Sequence, residues 1–223
     1  MPALSATLAL RMEIGDNTLS RTLGGLPFMT EDEARRTPLE PAEKVALERL
    51  LERAKAGDEG AMGTLYETYK ARVFGLACRY TYDPVAAEDL LQDVFIKIFT
   101  HLEDVRDVDT LSGWVYRIAL NTCYSYLRNK KLRSRTMVPL SAVEGGPGEA
   151  TYDTHEAGLR KPIEEALRDL PARLRSVFVL HDVEGFKHGE IGRILGCSVG
   201  TSKSQLFKAR MRIREKLKGK GVF

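Results

Sequence analysis

Near the end of the chain, Ser204 and Lys208 stand four residues apart, flanked by Thr201, Phe207 and Met211. Arg210, Arg212, Arg214, Lys216, Lys218 and Lys220 follow. Hydroxyl, ammonium and guanidinium groups at helical spacing suit hydrogen bonding to base edges and ion pairing with phosphates. That chemistry is recognition; no bond is made or broken. It needs a helix to present it, and the preceding residues supply the signals. Ile191, Ile194 and Leu195 fall on one helical face. Gly196 follows where a left-handed residue ends a helix, and Ser198 can cap the next one. At about 100° per residue, Val199, Leu206, Ala209, Ile213 and Leu217 form an apolar stripe, which leaves Ser204 and Lys208 roughly opposite. The order is a helix-turn-helix, with a second helix built to enter a DNA major groove. A basic run alone is more often a solvated face. The Gly turn and the Ser cap at this spacing favour DNA.

Other chemistry is missing from the sequence. It holds no Gly-x-Ser-x-Gly elbow and no His-Glu-x-x-His zinc motif. His101, His155, His181 and His188 lack ligand spacing, and His181-Asp182 reads as surface polarity. Gly145-Gly146-Pro147-Gly148 lacks the Lys-Ser/Thr of a phosphate loop. No metal, no cofactor and no enzyme activity are expected. Cys78, Cys123 and Cys197 are far apart, so the chain reads as reduced and cytoplasmic. No apolar run approaches the roughly 18 residues of a membrane span, and no signal peptide is expected at the N-terminus.

A net charge of +3 is low for a protein that must find DNA unaided. The charges are uneven, however. Lys130, Lys131, Arg133 and Arg135 form a second basic cluster, while Glu31, Asp32, Glu33, Glu40, Glu43, Glu48 and Glu52 lie early in the chain. This asymmetry predicts one surface for nucleic acid and another for a protein partner.

The pattern predicts an all-α fold: two helical domains joined by a flexible linker, the second holding the helix-turn-helix. Residues 1–40 are expected to be a disordered extension, with Met29 a candidate start of the working protein. Residues 41–133 read as a four-helix bundle. Its signals are Pro41 in a first turn, Gly57 as a stop, Asp58 as a cap, and Asp83-Pro84 as a cap followed by a first-turn proline. The third helix is expected over 86–102, a charged loop over 103–110, and the fourth helix over 111–132. Residues 134–160 are predicted as the linker. Residues 161–220 read as the second domain, with one helix through Leu170 and another from Pro171 to about Glu184 before the helix-turn-helix.

These residues resemble the bacterial RNA polymerase sigma factors of the extracytoplasmic-function (ECF) group, over about Val45 to Leu217. Ala87-Glu88-Asp89-Leu90-Leu91-Gln92-Asp93-Val94-Phe95 is similar to the family's polymerase-binding helix. Trp114-Val115-Tyr116-Arg117-Ile118-Ala119-Leu120-Asn121 resembles its promoter-melting helix. Leu170-Pro171-Ala172-Arg173, Val177-Phe178-Val179-Leu180, Glu190-Ile191 and Val199-Gly200-Thr201 resemble its upstream-element reader. The resemblance implies a transcription initiation factor. Asp89, Gln92, Asp93 and Phe95 would bind the clamp of the largest subunit of core RNA polymerase. Residues 103–110 and Asn121, with Trp114, Arg117 and Tyr124, would hold a flipped base of the minus-ten element. Trp114, Tyr116 and Tyr124 would be available for stacking, although Trp114 also reads as core. Thr201, Lys203, Ser204, Phe207, Lys208 and Arg212 would bind the minus-thirty-five element. Promoter DNA and an anti-sigma factor are the further partners implied.

The chain departs from the family pattern at Ser202, where an apolar residue is usual, and at Gly192, where Ala is usual. Gln205 replaces a frequent Arg, and Leu111 a usual aromatic. Ser202 is expected to loosen the recognition helix, and Gly192 to cost about 1 kcal/mol of helix propensity. Two alternatives stay open: a stand-alone regulator using the helix-turn-helix only, and a protein that captures an anti-sigma factor without initiating transcription.

Overall fold

Proline at a helix start loses nothing, because a first-turn N–H has no intrahelical acceptor. Among the described residues, two helices begin that way. In the computed structural model, which describes residues 40–136 and 157–219, α1 runs Pro41–Lys55 and α3 runs Pro84–Thr100. The expected extension and most of the expected linker lie outside the described residues. The described helices fall into two compact units, residues 40–136 and 157–219.

In the first unit, Gly57 turns the chain at φ +85°. Asp58 then caps α2 (Glu59–Thr81) by accepting from Ala61 N–H at 3.2 Å. Tyr82 takes a left-handed φ of +54°. The Asp83 carboxylate accepts from the amides of Val85 and Ala86, which starts α3. A single 3₁₀ turn, Leu102–Asp104, follows α3. Asp107 Oδ1 then accepts from Asp109 N–H at 2.9 Å, and α4 begins at Val108 and runs to Thr136. The expected loop over 103–110 is thus largely turn and helix start, because Asp107 caps α4 three residues earlier than predicted. Leu65, Tyr69, Val73, Leu76, Leu90, Val94, Ile98, Val115 and Leu120 fill the core.

In the second unit, α5 runs Ala157–Arg168, with Pro162 inside it, and α6 runs Ala172–Phe178. The helix expected from Pro171 to Glu184 does not continue as an α-helix. It widens into a π turn, Val179–Val183, where Glu184 N–H bonds back to Val179 C=O at 2.9 Å. Next come α7 (His188–Leu195), Gly196 at φ +63°, and α8 (Val199–Gly219). Ser198 Oγ accepts from Thr201 N–H at 3.0 Å and caps α8. Packing against α5, α6 and α7 buries Ser202, Leu206, Ala209, Ile213 and Leu217 of α8. Ser202 therefore takes the place on the stripe expected for Val199, which is exposed. The hydroxyl of Ser202 lies 2.9 Å from His188 Nδ1.

Candidate nucleic-acid interface

On α4, Trp114, Arg117, Asn121 and Tyr124 recur at intervals of three and four, so they share one helix face. Arg117 and Asn121 are exposed there, and Trp114 and Tyr124 are half-buried. Tyr124 meets Tyr80 edge to face, with ring centroids 6.0 Å apart. Tyr116 is fully buried and cannot stack on a base, so the expectation that it is available is corrected. It points inward because it lies between Val115 and Ala119, on the buried side of α4. The helix is held from behind. Tyr69 and Ser112 share a hydrogen bond of 2.9 Å, Lys97 Nζ donates to Thr122 Oγ1 at 3.0 Å, and Lys44 pairs with Asp109 at 2.5 Å.

On α3, Asp89, Gln92 and Asp93 are exposed. Phe95 is 4 % exposed, and its ring packs 4.6 Å from that of Tyr66 and 5.8 Å from that of Phe99. A direct partner contact through Phe95 is therefore corrected: it anchors the helix from inside. Sequence reasoning missed two exposed apolar residues, Val85 at 69 % and Ile96 at 65 %. Their spacing from Asp89 and Gln92, by four, three and four, was the available signal.

On α8, Lys203, Ser204, Phe207, Lys208 and Arg212 are exposed, and Phe207 is 66 % exposed. Thr201 is half-buried, with its hydroxyl 2.9 Å from Ser198 Oγ. The structure thus brings the predicted α8 residues together on or beside one face. Arg210 does not join that solvated basic face. It donates to Asp182 from Nε at 2.9 Å and from Nη2 at 2.5 Å. Asp182 is 3 % exposed, so the expected surface polarity of His181-Asp182 is also corrected. Burial would raise the Asp182 pKa, but the hydrogen bonds from His181 and Arg210 outweigh it and hold the carboxyl below its usual range. The three cysteines are free, and burial pushes the Cys123 thiol up to about 12. Among the described residues, no group of three or more His, Cys, Asp or Glu could hold a metal ion.

The Sigma-70 region 2 family model matches residues 65–133, and the Sigma-70, region 4 model matches residues 160–213. The chain is 31 % identical over 179 residues to the RNA polymerase sigma-H factor of Pseudomonas aeruginosa, covering 76 % of this chain and 93 % of that one. The chain belongs to the ECF RNA polymerase sigma factors. The ECF RNA polymerase sigma-E factor of Haemophilus influenzae is 30 % identical to this sigma factor over 185 residues, 79 % of this chain and 97 % of the other. Among solved structures, the sigma factor RpoE of Bartonella quintana, in complex with the anti-sigma factor NepR, superposes with a TM-score of 0.58 at 25 % identity. That match covers 70 % of this chain and 96 % of RpoE. In this sigma factor the region 2 match takes in α3 and nearly all of α4, and the region 4 match takes in α7, the turn and α8 as far as Ile213. No helix among the described residues is long and apolar enough to cross a membrane. As a sigma factor, the protein acts in transcription initiation.

Proposed function

We propose that this sigma factor docks on the clamp of the largest subunit of core polymerase through Asp89, Gln92 and Asp93 of α3, and reads two promoter elements with α4 and α8. It works in the cytoplasm, as a subunit with no catalysis of its own. The two helical units, residues 41–136 and 157–219, serve as the two working domains. On α4, Asn121 offers a donor and an acceptor to the edge of a flipped minus-ten base, and Trp114 and Tyr124 offer rings. Flipping costs a few kcal/mol, and stacking returns about 1–3 kcal/mol per base. Arg117 supplies charge beside them. On α8, Lys203, Ser204, Phe207 and Lys208 address base edges of the minus-thirty-five element. Thr201 stands at the helix start, and Arg212 holds phosphate.

The observation that carries this proposal is the sidedness of α8. Lys203, Ser204, Phe207 and Lys208 face outward while Leu206, Ala209 and Ile213 are buried, so one rigid helix presents a polar, cationic, partly aromatic face. An anti-sigma factor is the partner that restrains it, a proposal supported by the likeness to RpoE, which was solved with NepR. The test is run-off transcription from a genomic promoter library with purified core polymerase. New start sites that share an upstream and a downstream element are expected. Transcripts no different from those of core polymerase alone would refute the proposal. Tight sequence-specific binding without polymerase would instead indicate a stand-alone regulator.

A further inference from the structure

Five side chains line the buried side and flank of α8, linked by three hydrogen-bonded contacts and one ring stack. Ser202, fully buried, has its Oγ 2.9 Å from His188 Nδ1. The His188 ring stacks on that of His181, with centroids 4.6 Å apart. His181 Nδ1 lies 2.8 Å from Asp182 Oδ1, and Asp182 accepts both hydrogen bonds from Arg210. The chain begins and ends on α8. Its middle members belong to the π turn and to α7.

The close-packed stripe of Leu206, Ala209, Ile213 and Leu217 resists a roll of α8 through shape, and directional polar pairs add an angular constraint to it. Hydrogen bonds weaken steeply with angle, and a guanidinium gripping a carboxylate with two donors fixes a plane as well as a distance. If α8 rolled, the buried Asp182 carboxylate would lose bonds that water cannot replace. A roll of about 20° at the roughly 5–6 Å radius of a helix surface moves a surface atom by about 2 Å, which is enough to undo a base contact. At about 100° per residue, Lys203 lies only about 20° around the helix from Arg210, so the grip acts close to the outward face.

We infer that the Ser202–His188–His181–Asp182–Arg210 chain sets the roll of α8, which makes Ser202 and Arg210 positioning residues for promoter discrimination by Lys203, Ser204, Phe207 and Lys208. This rests on the proposal that α8 enters the groove of the upstream element. Ser202 acts from the buried side of the helix and Arg210 from its flank, and neither belongs to the base-reading set proposed above. The Ser at 202, unusual for this position, is then a working part of the device.

The experiment uses holoenzyme made with the full chain and a promoter library varied only at the upstream element. It measures the preference for the best sequence over single-base variants. Ser202→Ala removes one link with a small residue that a helix accepts. Arg210→Met removes the grip. Arg210→Lys keeps the charge but not the two-donor geometry. The preference is expected to fall by about fivefold or more in Ser202→Ala and Arg210→Met, with partial recovery in Arg210→Lys and unchanged binding to the poorest sequences. Thermal melts identify variants that simply fail to fold, and Ser202→Ala is expected to fold with a melt lowered by a few degrees at most. If folded Ser202→Ala and Arg210→Lys discriminate as the parent does, or lose affinity for every sequence alike, the inference is wrong. If the parent itself shows no upstream preference, the groove proposal fails, and this inference with it.

Discussion

A Cβ added to Gly192 would sit 2.7 Å from the carbonyl oxygen of Cys197, closer than real Cβ contacts come. The same two residues are bonded through Cys197 N–H and Gly192 C=O at 2.9 Å. The turn of the helix-turn-helix therefore closes directly onto the backbone of α7, at a point with no room for a methyl group. The glycine that breaks the family pattern fits that close approach, and its helix-propensity cost of about 1 kcal/mol is set against it.

Gly192→Ala is accordingly expected to destabilise the second unit by about 1–3 kcal/mol, the usual range for overpacking, although alanine is the better helix former. Chemical denaturation of the full-length protein, followed by a probe in the second unit, measures it. A variant more stable than the parent would mean that the turn moves aside at no cost.

Asp93→Arg is expected to weaken assembly with core polymerase by about tenfold while leaving the thermal melt unchanged. Asp93 is exposed on α3, so the substitution disturbs no core, and reversing a charge at a complementary surface repels the partner. Fluorescence anisotropy titration with core polymerase checks this. Parental affinity in a folded variant would place docking elsewhere.

Asn121→Ala is expected to impair promoter opening more than initial association. The exposed amide can hold an unstacked base, whereas capture of the duplex rests on phosphate contacts and on α8. Permanganate footprinting and binding are measured together, on native and pre-melted templates. Equal defects in both steps would remove the assigned role.

Lys208→Ala should relax preference at one or two upstream base pairs, since a base contact is worth about 1–3 kcal/mol of discrimination. Arg212→Ala should lower affinity evenly and flatten the salt dependence by about one unit. A promoter-variant library scored with each mutant holoenzyme separates the two. A uniform loss with Lys208→Ala would make Lys208 part of the basic surface only.

Stability of the second unit should also depend on pH. His188 has its pKa lowered from the ordinary 6.5, first by burial, then by the positive charges of His181, Lys203 and Arg210, with Asp182 opposing. The unfolded chain therefore binds the proton more readily than the folded one. The contribution is fully present above pH 6.5 and is lost as pH falls from 6.5 through the lower folded value. The depressed Asp182 carboxyl adds a second loss, but only as pH falls below 3.8. Denaturation curves between pH 5 and 8 are expected to show stability rising with pH, and His188→Gln should flatten the rise. A parent curve flat across this range would mean that His188 titrates alike in both states.

The local signals in the sequence were those that act within a few residues. Asp58, Asp83-Pro84, Gly196 and Ser198 each work on amides or dihedrals close by in the chain, so the starts of α2, α3 and α8 and the central turn are legible in the sequence, whereas the Asp107 cap of α4 is not. The sidedness of α8 followed for the same reason, because 3.6 residues per turn is a property of the helix itself. What the sequence could not show is which side chains meet across elements. Phe95 faces Tyr66 from a neighbouring helix, Asp182 meets Arg210 at a distance of 28 residues, and Ser202 meets His188 at a distance of 14. In the sequence Gly192 reads only as a propensity cost; the Cys197 carbonyl packed against it comes from the fold. Local signals thus carry most of the helices and caps, the polar part of α8's outward face and the family, but not the Asp107 cap of α4, the π turn at Val179–Val183 or the side on which Val199 and Arg210 lie. Only the tertiary structure decided which polar groups on that scaffold are interior, because burial and pairing depend on neighbours brought together by packing, while capping and periodicity depend only on residues adjacent in the chain.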